Sequence, residues 1–352
     1  MRRRALGGPY ARAMVWGVPR TQLGRAAAAL AGLAVLAACQ GTSGSGSTAS
    51  GSSNGSADST TVSVVKTVSP SVVLIQTADG LGSGEVYDTK GNIVTNAHVI
   101  GSATSFVVTT SSGKQLDGTL VGSFPPDDLA VIRVNGAGLQ PAKFGDSSKL
   151  EPGETVLAIG NPLGLEGSVT SGIVSALGRV VNEGPGGATL PDAIQTSAPI
   201  NPGISGGALV DLASEVVGIP TLAALSPGSQ APAPGIGFAI SSNRAKVIAD
   251  QLVATGRVTN SGRAYLGIEG GATTGGEGVL VVAVTPGGPA AQAGITAGTL
   301  ITSVAGKPTP GPSQLAEVLA TLNPGQTVPV TVVPPHSGVR TTINVTLGEL
   351  PG

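Results

Sequence analysis

Cysteine is nearly absent from this chain: Cys39 stands alone, so no intrachain disulfide forms and thiol chemistry elsewhere is excluded. Histidine occurs only at His98 and His336, which leaves two candidates for an imidazole base. No apolar run reaches the ~20 residues needed to cross a bilayer as a helix, and the longest, Ala26–Ala38, has 13. A concentrated basic face is missing too. Six of the 19 basic residues lie in segment 1–38, leaving 13 against 20 acidic ones, a balance that excludes nucleic acid as a partner. Aromatic residues make up 2% of the chain. What is abundant is 55 Gly and 26 Pro among short Val-, Thr- and Ile-rich runs, the pattern of an all-β chain with many turns. At 352 residues the chain is long enough for two or three compact domains.

The N-terminus has the form of an export signal, with arginines before the apolar run. That run ends in Leu36-Ala37-Ala38-Cys39, which resembles the bacterial lipobox. The resemblance implies that residues 1–38 are removed, that Cys39 carries the lipid, and that the protein is held to the lipid bilayer in the extracytoplasmic cell envelope. Two or more acyl chains make such an anchor stable. Residues 39–61 are dominated by Gly, Ser, Thr and Ala without apolar periodicity and are expected to form a flexible tether.

From Val62 onward two series of short β-runs follow. The first comprises Ser71–Gln76, Gly84–Tyr87, Ile93–Thr95, Ser105–Thr110, Thr119–Val121 and Ala130–Val134. The second comprises Glu154–Ile159, Ser168–Leu177, Gly207–Asp211, Val216–Ile219 and Gly235–Ala239, one short of six. The expected architecture is mainly β, a double β-barrel over residues 62–257, chymotrypsin-like where the catalytic groups follow the order His, Asp, Ser. A helix over Ser241–Thr255, with Ala245, Ile248, Leu252 and Val253 at helical spacing, closes it. Segments Val180–Ile194 and Leu222–Gly235 read as long loops, the places where switching concentrates.

His98 follows a strand in Thr95-Asn96-Ala97-His98-Val99, whereas His336 sits in a Pro-Pro-His-Ser-Gly turn. Asp128 enters the apolar run Leu129–Ile132, where a carboxylate is costly without a hydrogen-bonded partner such as an imidazole N–H. Ser205 lies in Gly203-Ile204-Ser205-Gly206-Gly207, and the N–H groups of Gly203 and Ser205 would form an oxyanion hole. A serine is a weak nucleophile until a histidine takes its proton, and an aspartate holds that histidine in the right tautomer. The chain order His, Asp, Ser is that of the chymotrypsin arrangement. The same glycine-serine motif formally fits an α/β-hydrolase, but that fold needs a helix after the serine and a histidine last; here Gly-Gly-Ala-Leu-Val follows.

These motifs, with Gly82-Ser83-Gly84, Ala158-Ile159-Gly160-Asn161-Pro162, Thr170-Ser171-Gly172 and Gly235-Ile236-Gly237-Phe238-Ala239, resemble the HtrA/Deg family of serine proteases in order and type. The resemblance implies an endopeptidase acting on unfolded or damaged exported proteins, with His98, Asp128 and Ser205 as triad. It places Ile200, Ile219, Ala223 and Ala224 around the specificity pocket. No acid falls there, so small or medium apolar side chains are expected beside the cleaved bond. Residues 263–347 resemble one PDZ domain, with Tyr265, Leu266, Gly267 and Ile268 as the loop that holds the carboxylate of a C-terminal peptide. Strands over Gly278–Ala283 and Leu300–Val304 and a helix over Ser313–Leu322 complete it. No metal and no cofactor is expected. The resemblance implies a homotrimer, yet no aromatic residue lies between Ser59 and Tyr87 to hold one. Where the family commonly has Asn, this chain has Ile204 and Pro220, and Ser197 replaces an acid. The rival class is a catalytically silent PDZ adaptor or chaperone on a protease scaffold.

Overall fold

The computed structural model describes residues 54–78, 80–135, 138–161, 167–184, 187–225 and 232–352; the signal, Cys39 and most of the tether lie outside them. The chain opens with helix α1 (Asn54–Val68). The tether was expected to reach residue 61, so its last eight residues are helical instead. Val64 and Val68, four apart, are buried in the main core. That docking outweighs the poor helix propensity of Val, Thr and Ser, which disguises the segment in the sequence.

Six strands then close a barrel: β1 (Val72–Gln76), β2 (Leu81–Val86), β3 (Asn92–Thr95), β4 (Ser105–Thr109), β5 (Gln115–Phe124) and β6 (Leu129–Val134), in the order β1-β2-β3-β6-β5-β4. The one-turn helix α2 (Ala97–Ile100) interrupts them after β3. A second barrel, β10-β11-β12-β9-β8-β7, is built from β7 (Thr155–Gly160), β8 (Ser168–Asn182), β9 (Thr189–Thr196), β10 (Ala208–Val210), β11 (Val216–Leu225) and β12 (Pro232–Ser241). Alternation of side chains along each strand explains the continuous apolar runs. In β6, Ala130, Ile132 and Val134 fill the first barrel, while Leu129 and Val131 face a seam shared with Leu157, Ile159 and Ile219 of the second. Helix α3 (Ser242–Thr255) covers that seam with Ala245, Ile248 and Leu252, and stops where Gly256 turns left-handed at φ 74°.

The strand absent from the sequence reading is β9. Pro191 argues against a strand, but Asp192 at φ 52° and register shifts against β8 absorb it as bulges. The long loops expected at 180–194 and 222–235 are a misreading. Both segments extend the hairpins β8–β9 and β11–β12, and residues 185–186 and 226–231 lie outside the described ones.

After α3 come β13 (Ala264–Tyr265), β14 (Ile268–Ala272), β15 (Val279–Val284), helix α4 (Pro289–Gln292), β16 (Leu300–Val304), β17 (Lys307–Pro308), helix α5 (Pro312–Ala320), β18 (Thr327–Val333), β19 (Thr341–Thr346) and β20 (Gly348–Glu349). A sheet β14-β15-β16-β18-β19 carries its own core of Val279, Val281, Ile301, Val330 and Leu315. Helix α5 lies against β8 and β9 of the second barrel.

Candidate active site

His98 sits on α2, whose Val99 and Ile100 anchor it in the first barrel. Two donors tie this turn to the carbonyl of Asp128: the Ala97 N–H at 3.0 Å and the Asn96 side-chain amide at 3.1 Å. Asp128 itself follows a tight turn over Pro125–Asp127 and adopts φ 54°, a left-handed conformation rare for a residue with a Cβ.

The Asp128 carboxylate is 3% exposed on its side chain and is surrounded by donors. Oδ1 accepts the backbone N–H of His98 at 2.9 Å, and Oδ2 accepts His98 Nδ1–H at 2.8 Å and the Thr221 hydroxyl at 2.6 Å. Three charge-assisted bonds offset the cost of burying it. Nδ1 is thereby fixed as the protonated nitrogen and Nε2 is left to accept. Burial disfavours the imidazolium, but the hydrogen bond and charge of Asp128, with the charge of Glu183, outweigh it and hold the His98 pKa above its ordinary value.

Ser205 stands in a turn between β9 and β10 that bridges both barrels. Its carbonyl accepts the N–H of Ser83 at 2.8 Å, and the Ser83 hydroxyl donates to the carbonyl of Gly203 at 2.5 Å. Gly206 is obligatory here: at φ 82° any Cβ would come within 2.2 Å of the Ser83 carbonyl oxygen. Among the described residues the amides of Gly203 and Ser205 donate to no acceptor, while those of Ile204, Gly206 and Gly207 are all engaged. The Ser205 hydroxyl donates to the carbonyl of Thr221 at 2.7 Å, and no hydrogen bond joins it to His98 among the described residues.

Ile204, where the family commonly has Asn, is 1% exposed and fills the core of the second barrel. Ile200 borders a small cavity of about 70 Å³ with Ala198, Ala233 and Gly237. Ile219 does not line it. That residue is fully buried in the seam between the barrels, because alternation along β11 turns it inward; the facing wall comes from β12 instead. The side chains of Ala223 and Ala224 lie outside the described ones.

Two further groups reach this cleft without a strong signal in the sequence. Thr221 joins Asp128 and Ser205, and its only mark was one hydroxyl in an apolar strand. Glu183 lies 3.0 Å from the Thr221 hydroxyl. Burial and the charge of Asp128 raise its pKa, against the lowering effects of the Thr221 bond and of His98. Nothing local in a Gly-rich stretch announced it.

In the C-terminal sheet, Tyr265, Leu266, Gly267 and Ile268 border a groove of about 140 Å³ between β14 and α5. The carbonyls of Leu266 and Gly267 are tied back by the amides of Ala290 and Thr285, at 2.9 and 3.0 Å. Their own amides donate to no acceptor among the described residues. Gly270 is required on β14, since a Cβ there would meet Val279 Cγ1 at 2.5 Å.

Residues 82–219 match the trypsin-like peptidase domain family, and residues 280–334 match the PDZ domain family. The serine protease PepD of Mycobacterium tuberculosis is 42% identical over 81% of this chain and 65% of its own length. The periplasmic pH-dependent serine endoprotease DegQ of Escherichia coli is 39% identical over 77% of this chain and 60% of its own. The chain thus spans less than two thirds of the curated relatives it matches. Among solved structures, a serine endoprotease from Yersinia pestis aligns at TM-score 0.56 with 37% identity, over 82% of this chain and 97% of that one. The HtrA-type protease AlgW with a tripeptide aligns at 0.57 with 34% identity, over 83% and 97%.

Proposed function

Because this chain belongs to the HtrA-type serine protease family, we propose that it is a serine endopeptidase in which His98, Asp128 and Ser205 form the triad. The observation that carries this is the doubly bonded pair of His98 and Asp128 beside a serine whose turn leaves two amides free. In this reading Ser205 Oγ leaves the Thr221 carbonyl by side-chain rotation, gives its proton to His98 Nε2 and attacks the scissile carbonyl. The amides of Gly203 and Ser205 take up the developing oxyanion. Asp128 stabilises the imidazolium without taking its proton.

The cavity beside Ile200 suits a small or medium apolar side chain. The substrates are unfolded or damaged exported proteins, and the groove along β14 takes the C-terminus of a peptide as an added strand. Cys39 carries a lipid anchor in the cell envelope, outside the cytoplasm. A silent adaptor is the second reading, favoured by one observation: the Ser205 hydroxyl is turned away from His98. A fluorophosphonate probe decides between them. Labelling of the wild type but not of Ser205→Ala supports the endopeptidase, and labelling of neither supports the adaptor.

A further inference from the structure

A cavity of about 250 Å³ opens beside His98, walled by Ala97 and His98 of α2, Ser123 at the end of β5 and Pro125 just beyond it, and Glu183 with Ala188 between β8 and β9. It shares no lining residue with the cavity at Ile200. Its ionisable groups are His98, Asp128 and Glu183, two carboxyls against one imidazole, so the space favours positive charge.

The two carboxyls are unequally supported. Asp128 has three donors, whereas Glu183 has a share of the Thr221 hydroxyl and the Ala188 amide. One hydroxyl carries one hydrogen. The shorter contact, 2.6 Å against 3.0 Å, assigns that hydrogen to Asp128. Among the described residues no Lys or Arg forms an ion pair with Glu183; Arg244 and Arg263 are both engaged by Asp127. Burial holds a proton on Glu183 more firmly than usual, and a cation arriving in the cavity reverses that.

A substrate in the cleft lies extended, with successive side chains projecting to opposite sides. If the residue before the cleaved bond enters the Ile200 cavity on the second barrel, its N-terminal neighbour projects toward the first barrel, where His98, Ser123 and Pro125 stand. We propose that this second cavity is a subsite for a lysine or arginine side chain at that neighbouring position, with Glu183 as its counter-charge. The aliphatic stem lies along Pro125 and Ala188, and the cationic head reaches the carboxylate. This rests on the endopeptidase reading and names a class of substrate for it: sequences with a basic residue followed by a small apolar one.

The test uses the full chain and chromogenic peptides identical except at that position, which is Lys, Arg, Gln or Glu. Lys and Arg are expected to exceed Gln by about tenfold in kcat/KM, in line with one charge-assisted hydrogen bond, with Glu lowest. In Glu183→Gln the Lys-to-Gln ratio falls toward one; in Glu183→Lys the order inverts toward Glu; in Glu183→Asp a reduced basic preference remains. Equal kcat/KM for all four peptides in the wild type, or a Lys-to-Gln ratio unmoved by Glu183→Gln, overturns the subsite while the endopeptidase stands. Cleavage of none of the peptides, together with no fluorophosphonate labelling, removes the endopeptidase reading and the subsite with it.

Discussion

Thr221 holds Ser205 by its carbonyl and Asp128 by its hydroxyl, at 2.7 and 2.6 Å, so one residue of β11 touches two members of the proposed triad. The nucleophile and the carboxylate come from different barrels. Their relative position therefore depends on a strand that the motifs around His98 and Ser205 do not include.

The hydroxyl of Thr221 is expected to matter more than its methyl. Thr221→Val keeps the shape and removes a hydrogen bond to a charged group, an interaction of ~1.5–3 kcal/mol. Turnover of a chromogenic peptide should fall about tenfold to a hundredfold, and Thr221→Ser should retain most of it. Wild-type turnover in Thr221→Val would separate the hydroxyl from catalysis.

His98 predicts a pH profile. Its pKa is raised above the ordinary ~6.5 by Asp128 and Glu183 against the opposing effect of burial, and the base must be neutral to accept the serine proton. The acid limb of kcat/KM should therefore have its midpoint above pH ~6.5. The stability contribution has the opposite sign: it is full below the unfolded pKa and is lost as pH rises through the folded value. Replacing the charge of Glu183 in Glu183→Gln should move the acid limb downward. A limb that stays in place would remove Glu183 from the electrostatics of His98.

The motifs around His98, Asp128 and Ser205 were legible because each is local: a strand end, a turn, a glycine-rich loop. Eleven of the twelve barrel strands were legible from Val- and Ile-rich runs. What escaped depends on contacts distant in sequence. Val64 and Val68 make a helix of α1 only because the seam between the barrels receives them. Motif order locates the segment that holds Ile219 but not the side of the strand on which it falls, which is the seam. Asp127 and Asp128 are adjacent and equally acidic, yet one meets two arginines and the other a histidine.

Glu85 predicts an acid-stabilised fold. It lies on β2 between Val72 and Val94, is fully buried, and neither carboxyl oxygen has a partner among the described residues. Burial raises its pKa well above the ordinary value. The folded chain then binds a proton that the unfolded chain releases near pH ~4.5, so stability falls as pH rises from there through the folded pKa. Glu85→Leu should flatten that slope and raise the melting temperature at pH 8 by several degrees, given ~1–3 kcal/mol for an unsatisfied buried group. A lower melting temperature for Glu85→Leu at pH 8 would falsify the unpartnered carboxyl as a liability.

The last prediction concerns the joint between the second barrel and the C-terminal sheet. Arg263, just before β13, donates to Asp127 Oδ1 at 2.8 Å and to the Pro126 carbonyl at 2.5 Å. Arg244 of α3 holds Asp127 Oδ2 at 2.5 Å and also donates to the carbonyl of Ser261. Asp127 is fully buried and directly precedes Asp128, so this clamp supports the turn that fixes the left-handed Asp128. Removing one partner of a buried ion pair costs ~3–5 kcal/mol, because the remaining charge is left short of donors. Arg263→Ala should therefore lower both the melting temperature and the turnover number, and leave KM for a short peptide nearly unchanged. A chain ending at Gly256 should lose at least as much, since it also lacks Val258, buried in the seam core, and Leu350, which packs against that core. Calorimetry and single-substrate kinetics on both variants decide it. Full stability and turnover in the shortened chain would reduce the clamp to a surface contact, and any regulation by the peptide groove would then have to act through α5 and the β8–β9 hairpin.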